Sequence, residues 1–244
     1  MPGAPPRLTL VSSPVPGEKP GWEPAHFGVG LAVFDLDRTL ICGSSLVHLA
    51  RELVRRGIVR PAAVSRHSLW NAVFERRGLS EMRVERLCAA FLAAVRGMPA
   101  QPLADAARYV GGRITEDIKP GARWLVDRHL AAGDFCVVVS ASPHELVEGV
   151  AAALGIHRAI GTRVQVVDGL CTGRLDGSLC YGPKKVERLL DDIGRFDLTG
   201  ATGYADSESD LPLLRLCKTA IAVNPDPGLR RAAQARRWPV VSIG

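Results

Sequence analysis

Asp35 and Asp37 stand two residues apart, directly after the apolar run LAVF at 31–34. Two carboxylates this close repel each other unless a cation or a shared reaction uses them. One can attack phosphorus to give an aspartyl phosphate. The other can protonate the leaving alcohol and later activate water. The plain alternative is that Asp37 and Thr39 cap a loop or helix start. Three further clusters bear on the choice. Ser140 follows the apolar run Val137–Val139 and precedes SPHE, whose Ser-x-x-Glu spacing predicts a helix opening at Pro143 with Ser142 and Glu145 as caps. That leaves Ser140 to meet an anion at a helix N-terminus. Pro183 marks another helix start and places Lys184 and Lys185 in its first turn, where cations are unfavourable unless an anion compensates. Asp206, Glu208 and Asp210 follow the strand-like run ending at Ala205. Unpaired, they would repel Asp35, and a hard cation with oxygen ligands such as Mg2+ resolves the conflict. The alternative there is a capping box from Ser207 to Asp210.

The elements that must carry these residues can be read around them. LAVF reads as a buried strand delivering an acidic loop. Leu46, Leu49, Ala50, Leu53 and Val54 form a helical stripe closed by Gly57, and similar patterns over residues 44–118 read as all-helical. Beyond Gly121, helix and strand patterns alternate, with turns at Asp168-Gly169 and Asp176-Gly177. This argues for an α/β fold, a parallel sheet covered on both faces. The loops after residues 34, 139 and 205 are expected to converge beyond the strand ends, where such sheets bind ligands. The expected organisation is a disordered tail over 1–29, a catalytic core over 30–43 and 119–244, and a helical cap over 44–118.

Composition narrows the classes. The chain has 244 residues, 47% of them hydrophobic, enough for one sizeable core. Its apolar runs fall well short of the roughly 18 residues of a membrane span. Six cysteines without a CxxC pair, and no leader-like N-terminus, point to a reducing cytoplasm. Cys136, inside an apolar run, reads as a small core residue, and His129 and His157 as packing or capping groups. The net charge is +6, and residues 44–118 hold 12 Arg against 7 Asp or Glu, a surplus of five in one segment. That field could steer an anionic substrate or simply be a solvated helix face.

Taken together, FDLDRTL, VVVSASP, YGPKK and YADSESDLPLL resemble, in order and spacing, the four motifs of the haloacid dehalogenase superfamily. SSL, SASPHELVEGVAAALGI and DGLCTGRL resemble its phosphoserine phosphatase-like branch (subfamily IB). The resemblance covers about residues 31–241. It implies a Rossmann-like three-layer core with a helical cap inserted after the first strand, and Mg2+ as cofactor. It also implies roles: Asp35 as nucleophile, Asp37 as acid/base, Lys185 as the catalytic lysine, and Thr39, Ser140, Ala141 and Lys185 as phosphate-binding residues. Asp35, Asp37 (by its main-chain carbonyl), Asp206 and Asp210 are the implied metal set. One position departs from the pattern. Members specific for phosphoserine place a Glu seven residues after the second Asp, and this chain has Ser44 there.

The function expected is therefore Mg2+-dependent hydrolysis of a small phosphorylated metabolite, with no nucleic acid partner. Transfer to an acceptor other than water shares every catalytic residue. A non-catalytic protein binding an anionic partner through its basic segment is the remaining alternative.

Overall fold

The computed structural model describes residues 9–10, 30–59, 81–193 and 198–243. One sheet organises the chain. It holds β1 (Thr9–Leu10), β2 (Leu31–Phe34), β3 (Phe135–Pro143), β4 (Arg158–Thr162), β7 (Thr202–Ala205), β8 (Thr219–Val223) and β9 (Val240–Ser242), in the order β1-β9-β8-β7-β2-β3-β4. All neighbours run parallel except β1 with β9. A separate hairpin pairs β5 (Val164–Val167) with β6 (Leu170–Leu175). Its turn is Asp168-Gly169, both at positive φ, as a two-residue hairpin loop requires.

The central strands are apolar throughout because both of their faces are covered. Ala32, Phe34, Cys136 and Val138 point to one core. Leu31, Val33, Val137 and Val139 point to the other. Each such aliphatic side chain, when fully buried, contributes on the order of 1.5–3 kcal/mol. The first face is packed by α3 (Ala100–Arg113), α4 (Pro120–Ala131) and α5 (His144–Leu154). The second is packed by α6 (Pro183–Ile193) and the single turn α7 (Leu211–Leu214). α8 (Pro227–Arg236) lies against β8, with Leu229 and Ala233 buried beside Ala220 and Ala222. The result is the expected α/β, three-layer, Rossmann-like architecture.

Between β2 and α4 the described residues form α1 (Ser45–Arg55), α2 (Glu81–Val95), α3 and a 3-10 turn at Ile114–Asp117. Residues 60–80 of the expected cap lie outside the described residues. So does nearly all of the expected disordered tail, within which Thr9–Leu10 pair with Ser242 and Val241. α3 packs within the core that covers the sheet. It crosses α5 so closely that a Cβ at Gly111 would lie 2.2 Å from the Leu146 carbonyl oxygen, and one at Gly149 would lie 2.4 Å from that of Arg108. Leu103, Ala106, Ala107 and Val110 thereby join the same core as Val138 and Leu146.

A buried polar chain ties the strand starts together. His129 on α4 is 2.7 Å from Asp134 through Nδ1 and 2.8 Å from the Tyr204 hydroxyl through Nε2. Asp134 also accepts from the Gly30 N–H at 2.8 Å. A carboxylate can only accept, so Nδ1–H donates to Asp134 and Nε2 accepts from Tyr204. His157 likewise accepts, at Nδ1, from the Cys136 N–H at 3.0 Å. Cys136 itself is buried, and burial pushes its thiol up to about 12, which suits a core residue.

Candidate active site

The loops leaving β2, β3 and β7 meet at the C-terminal ends of the strands. Asp35 follows the last residue of β2, and its N–H donates to the Tyr204 carbonyl at 2.9 Å, fastening the first loop to β7. Its carboxylate is held at both oxygens. Lys185 Nζ donates to Oδ1 at 2.6 Å and Thr39 Oγ1 to Oδ2 at 2.9 Å. Lys185 reaches there from the first turn of α6 and forms an ion pair with Asp210 at 2.7 Å. Burial alone would lower its pKa, but the carboxylates of Asp210 and Asp35 outweigh it and hold the ammonium well above its ordinary value. The lysine thus remains a cation in a buried site. Lys184, its neighbour, is solvated and pairs with Glu187 at 2.8 Å.

Asp37 is turned away from this group. Its Oδ1 accepts from the Ser45 N–H at 2.6 Å and its Oδ2 from the Ser142 hydroxyl at 3.1 Å. The hydroxyls of Ser45 and Ser142 lie 2.5 Å apart. Burial raises the Asp37 carboxyl above its ordinary value; the Ser45 N–H opposes this and the Asp35 charge adds to it. A carboxyl poised in this way can hold a proton that Asp37 would have lost in water.

Asp206 and Asp210 come from the loop after β7. Carboxylate oxygens of Asp35, Asp206 and Asp210 lie within 4.8 Å of one another, all three residues buried. Burial and the Asp35 charge raise Asp206 well above the usual range. Burial likewise pushes Asp210 up to about 6, against the pull of Lys185. Burial is the largest cause of both shifts, and the Asp35 charge adds to them. Arg38 supplies an opposing charge, with its Nε 3.1 Å from Asp206. Arg38 sits at φ 62°, a left-handed conformation that costs a non-glycine residue about 1 kcal/mol. Its N–H donates to the Gly43 carbonyl at 3.1 Å, closing the loop. Three buried carboxylates around one point are an oxygen donor set that fits a hard divalent cation such as Mg2+.

Most of the implied site residues converge on one cavity. Asp35, Ser140, Ala141, Lys185, Asp206 and Asp210 line one cavity, together with Asp37. Thr39 does not line it; its hydroxyl is buried behind Asp35 and orients that carboxylate. The Asp37 side chain lies outside the carboxylate triad. The helix after β3 opens at His144 with Pro143 as N-cap and no side-chain cap bond, so Ser142 is not a cap. The strand runs on to Pro143, which pairs with Thr162, and the Ser142 hydroxyl is committed to Asp37 and Ser45. Nor do Ser207 and Asp210 form a capping box. Ser207 accepts from Ser209 N–H at 3.4 Å and donates to Asp226 at 3.2 Å.

Three residues of the site have roles that the motifs do not assign. Ser45 and Ser142 hold Asp37. Lys119, buried just before Pro120, donates from Nζ to the carbonyls of Arg38 and Thr39 and fastens the first loop from below. Its only sequence signal is a cation immediately before a helix start, a common arrangement.

Comparison with known proteins agrees with this geometry. A profile described as haloacid dehalogenase-like hydrolase matches residues 32–215. The "Inhibition of morphological differentiation protein" of Streptomyces azureus is 36% identical over 216 residues, spanning 87% of this chain and 78% of that protein. A phosphoserine phosphatase of Mycobacterium tuberculosis is 35% identical over 215 residues, spanning 86% and 69%. A crystal structure of a protein of unknown function from Bordetella pertussis superposes with a TM-score of 0.67 at 31% identity, over 87% of this chain and 98% of that one. The chain belongs to the haloacid dehalogenase-like hydrolase family.

Proposed function

We propose that the protein is a phosphatase that hydrolyses a phosphate monoester through a covalent phosphoryl group on Asp35, with Mg2+ as cofactor. The observation that carries this reading is the division of labour between the two acids. Asp35 is fixed at both oxygens beside a buried cation, whereas Asp37 is held apart with a raised pKa. A carboxylate fixed by a cation, beside a carboxyl whose burial favours its protonated form, suits the roles of nucleophile and acid.

An Asp35 oxygen attacks phosphorus as the P–O bond to the alcohol breaks, and Asp37 gives its proton to the departing oxygen. Asp37, now a base, takes a proton from water as that water attacks phosphorus. The P–O bond to Asp35 breaks, releasing inorganic phosphate and restoring both carboxyls. Lys185 keeps the Asp35 side chain oriented and offers positive charge to the phosphoryl oxygens. Ser140 and the main chain of Ala141, near the C-terminal end of β3 and ahead of α5, supply further donors. Mg2+, for which Asp35, Asp206 and Asp210 provide the donor set, would neutralise charge developing on those oxygens.

The phosphoserine phosphatase among the relatives supports a phosphate monoester as substrate, and the acidic triad supports the metal. Release of inorganic phosphate from a broad panel of monoesters tests the reading. Activity that requires Mg2+, disappears with chelator and falls about 10⁴-fold or more in Asp35→Asn is the expected outcome. Turnover unchanged in Asp35→Asn would refute it.

A further inference from the structure

We infer that the alcohol half of the substrate is an uncharged, apolar chain several carbons long. This rests on the phosphatase reading and specifies its substrate class. Among the described residues, every formal charge lining the cavity belongs to its floor. Asp35, Asp37, Lys185, Asp206 and Asp210 are the set described above, and Arg38 is paired with Asp206. None of them is left to meet an ammonium or carboxylate on the alcohol. A zwitterionic alcohol held within this cavity would bury two charges without partners among the described residues, a cost that water does not impose.

The roof is apolar for a reason visible in α2. Val84, Leu87, Phe91 and Leu92 recur at helical spacing on one side of that helix and line the cavity, joined by Leu46 and Val47 from α1. None of these six is fully buried, so among the described residues the stripe is an apolar surface left partly open to the cavity. Ser44, at the position where the family pattern for phosphoserine has an acid, opens onto the same space. The cavity measures about 170 Å³, an order of magnitude above the roughly 10–15 Å³ one water needs, so room remains beyond a phosphate. Phe91, Pro143 and Val164 line this cavity and also a second one of about 230 Å³. Leu49, Leu103 and Ala107 continue the apolar lining there, with Gln101, Glu145 and Arg108, the last paired with Glu148, also on its wall. A chain that passes Phe91 enters that second space.

The test is a homologous series of straight-chain alkyl monophosphates, from methyl to octyl, assayed with Mg2+ alongside phosphoserine and an amino-alcohol phosphate. The expected result is a kcat/KM that climbs by up to about fourfold per methylene, the factor set by burying one CH2, and exceeds that for phosphoserine. Leu87→Asp should flatten the climb, and Phe91→Ala should move its plateau to longer chains. A flat series, or a preference for phosphoserine or the amino-alcohol phosphate, overturns the inference and leaves the phosphatase reading standing. An unshifted plateau in Phe91→Ala overturns the second cavity as the seat of the chain. Absence of hydrolysis for every ester overturns both.

Discussion

At the residue scale, the site depends on two aspartates of one loop having opposite surroundings. Burial and the charge of Asp35 raise the Asp37 carboxyl above its ordinary value, so it can act as acid only below that raised pKa. Turnover limited by alcohol departure should therefore fall as pH rises through that pKa, and a pH–rate profile of kcat reads this directly. Asp37→Asn should cost 10²–10⁴-fold on an alkyl ester, about the usual worth of a general acid, and much less on an aryl ester whose leaving group needs no proton. Equal losses on both esters would remove Asp37 from that role. The type and spacing of Asp35, Asp37, Lys185 and Asp206 were legible in the sequence because their chemistry is concentrated in short motifs next to strand ends. Ser45, Ser142 and Lys119 were not. Each acts through a partner 8, 105 or 81 residues away, and only the fold brings those partners together. Ser142 misled because its spacing to Glu145 fits a capping box, yet hydrogen bonds across the site claim its hydroxyl first.

At the element scale, the close crossing of α3 and α5 is the feature least apparent from periodicity. Gly111 and Gly149 lack the side chains that would mark a contact face, and two glycines in helix interiors cost propensity that the crossing must offset. Gly149→Ala should destabilise the protein by about 1–3 kcal/mol, the usual cost of overpacking, because backbone and not a movable side chain stands in the way. Denaturant unfolding measures it, and a midpoint equal to wild type would show that the helices can separate freely. The His129 chain makes a second claim. Burial lowers its pKa despite Asp134, so the folded protein keeps the ring neutral while the unfolded chain takes up a proton near pH 6.5. Its share of stability is full above that value and is lost as pH falls from there towards the lowered folded pKa, at up to about 1.4 kcal/mol per pH unit. His129→Gln should flatten that part of the stability curve, and an unchanged slope would locate the acid sensitivity elsewhere.

At the scale of the whole molecule, the β-α alternation after Gly121 was sufficient to place the catalytic loops at one end of a parallel sheet. The strand pattern carries that information because both faces of β2 and β3 are buried. The extent to which the helical insertion merges with the core was not legible, since α3 packs through small residues. Several arginines of residues 44–118 are paired with nearby acids. Arg55 and Arg56 pair with Glu52, Arg108 with Glu148, and Arg113 with Glu116. Exposed pairs of this kind add about 0–1 kcal/mol each. They give a solvated outer face to helices whose inner stripe covers the cavity.

The central claim is that Asp35 carries the phosphoryl group during turnover. The most direct measurement is to quench Asp37→Asn in acid while it processes an aryl phosphate in Mg2+, then map the modified peptide by mass spectrometry. The second step needs a base at position 37, so the covalent species should accumulate in this variant, with the phosphoryl group on Asp35. A modified peptide elsewhere in the chain, or steady hydrolysis by Asp35→Asn with no covalent species in either protein, would contradict the account.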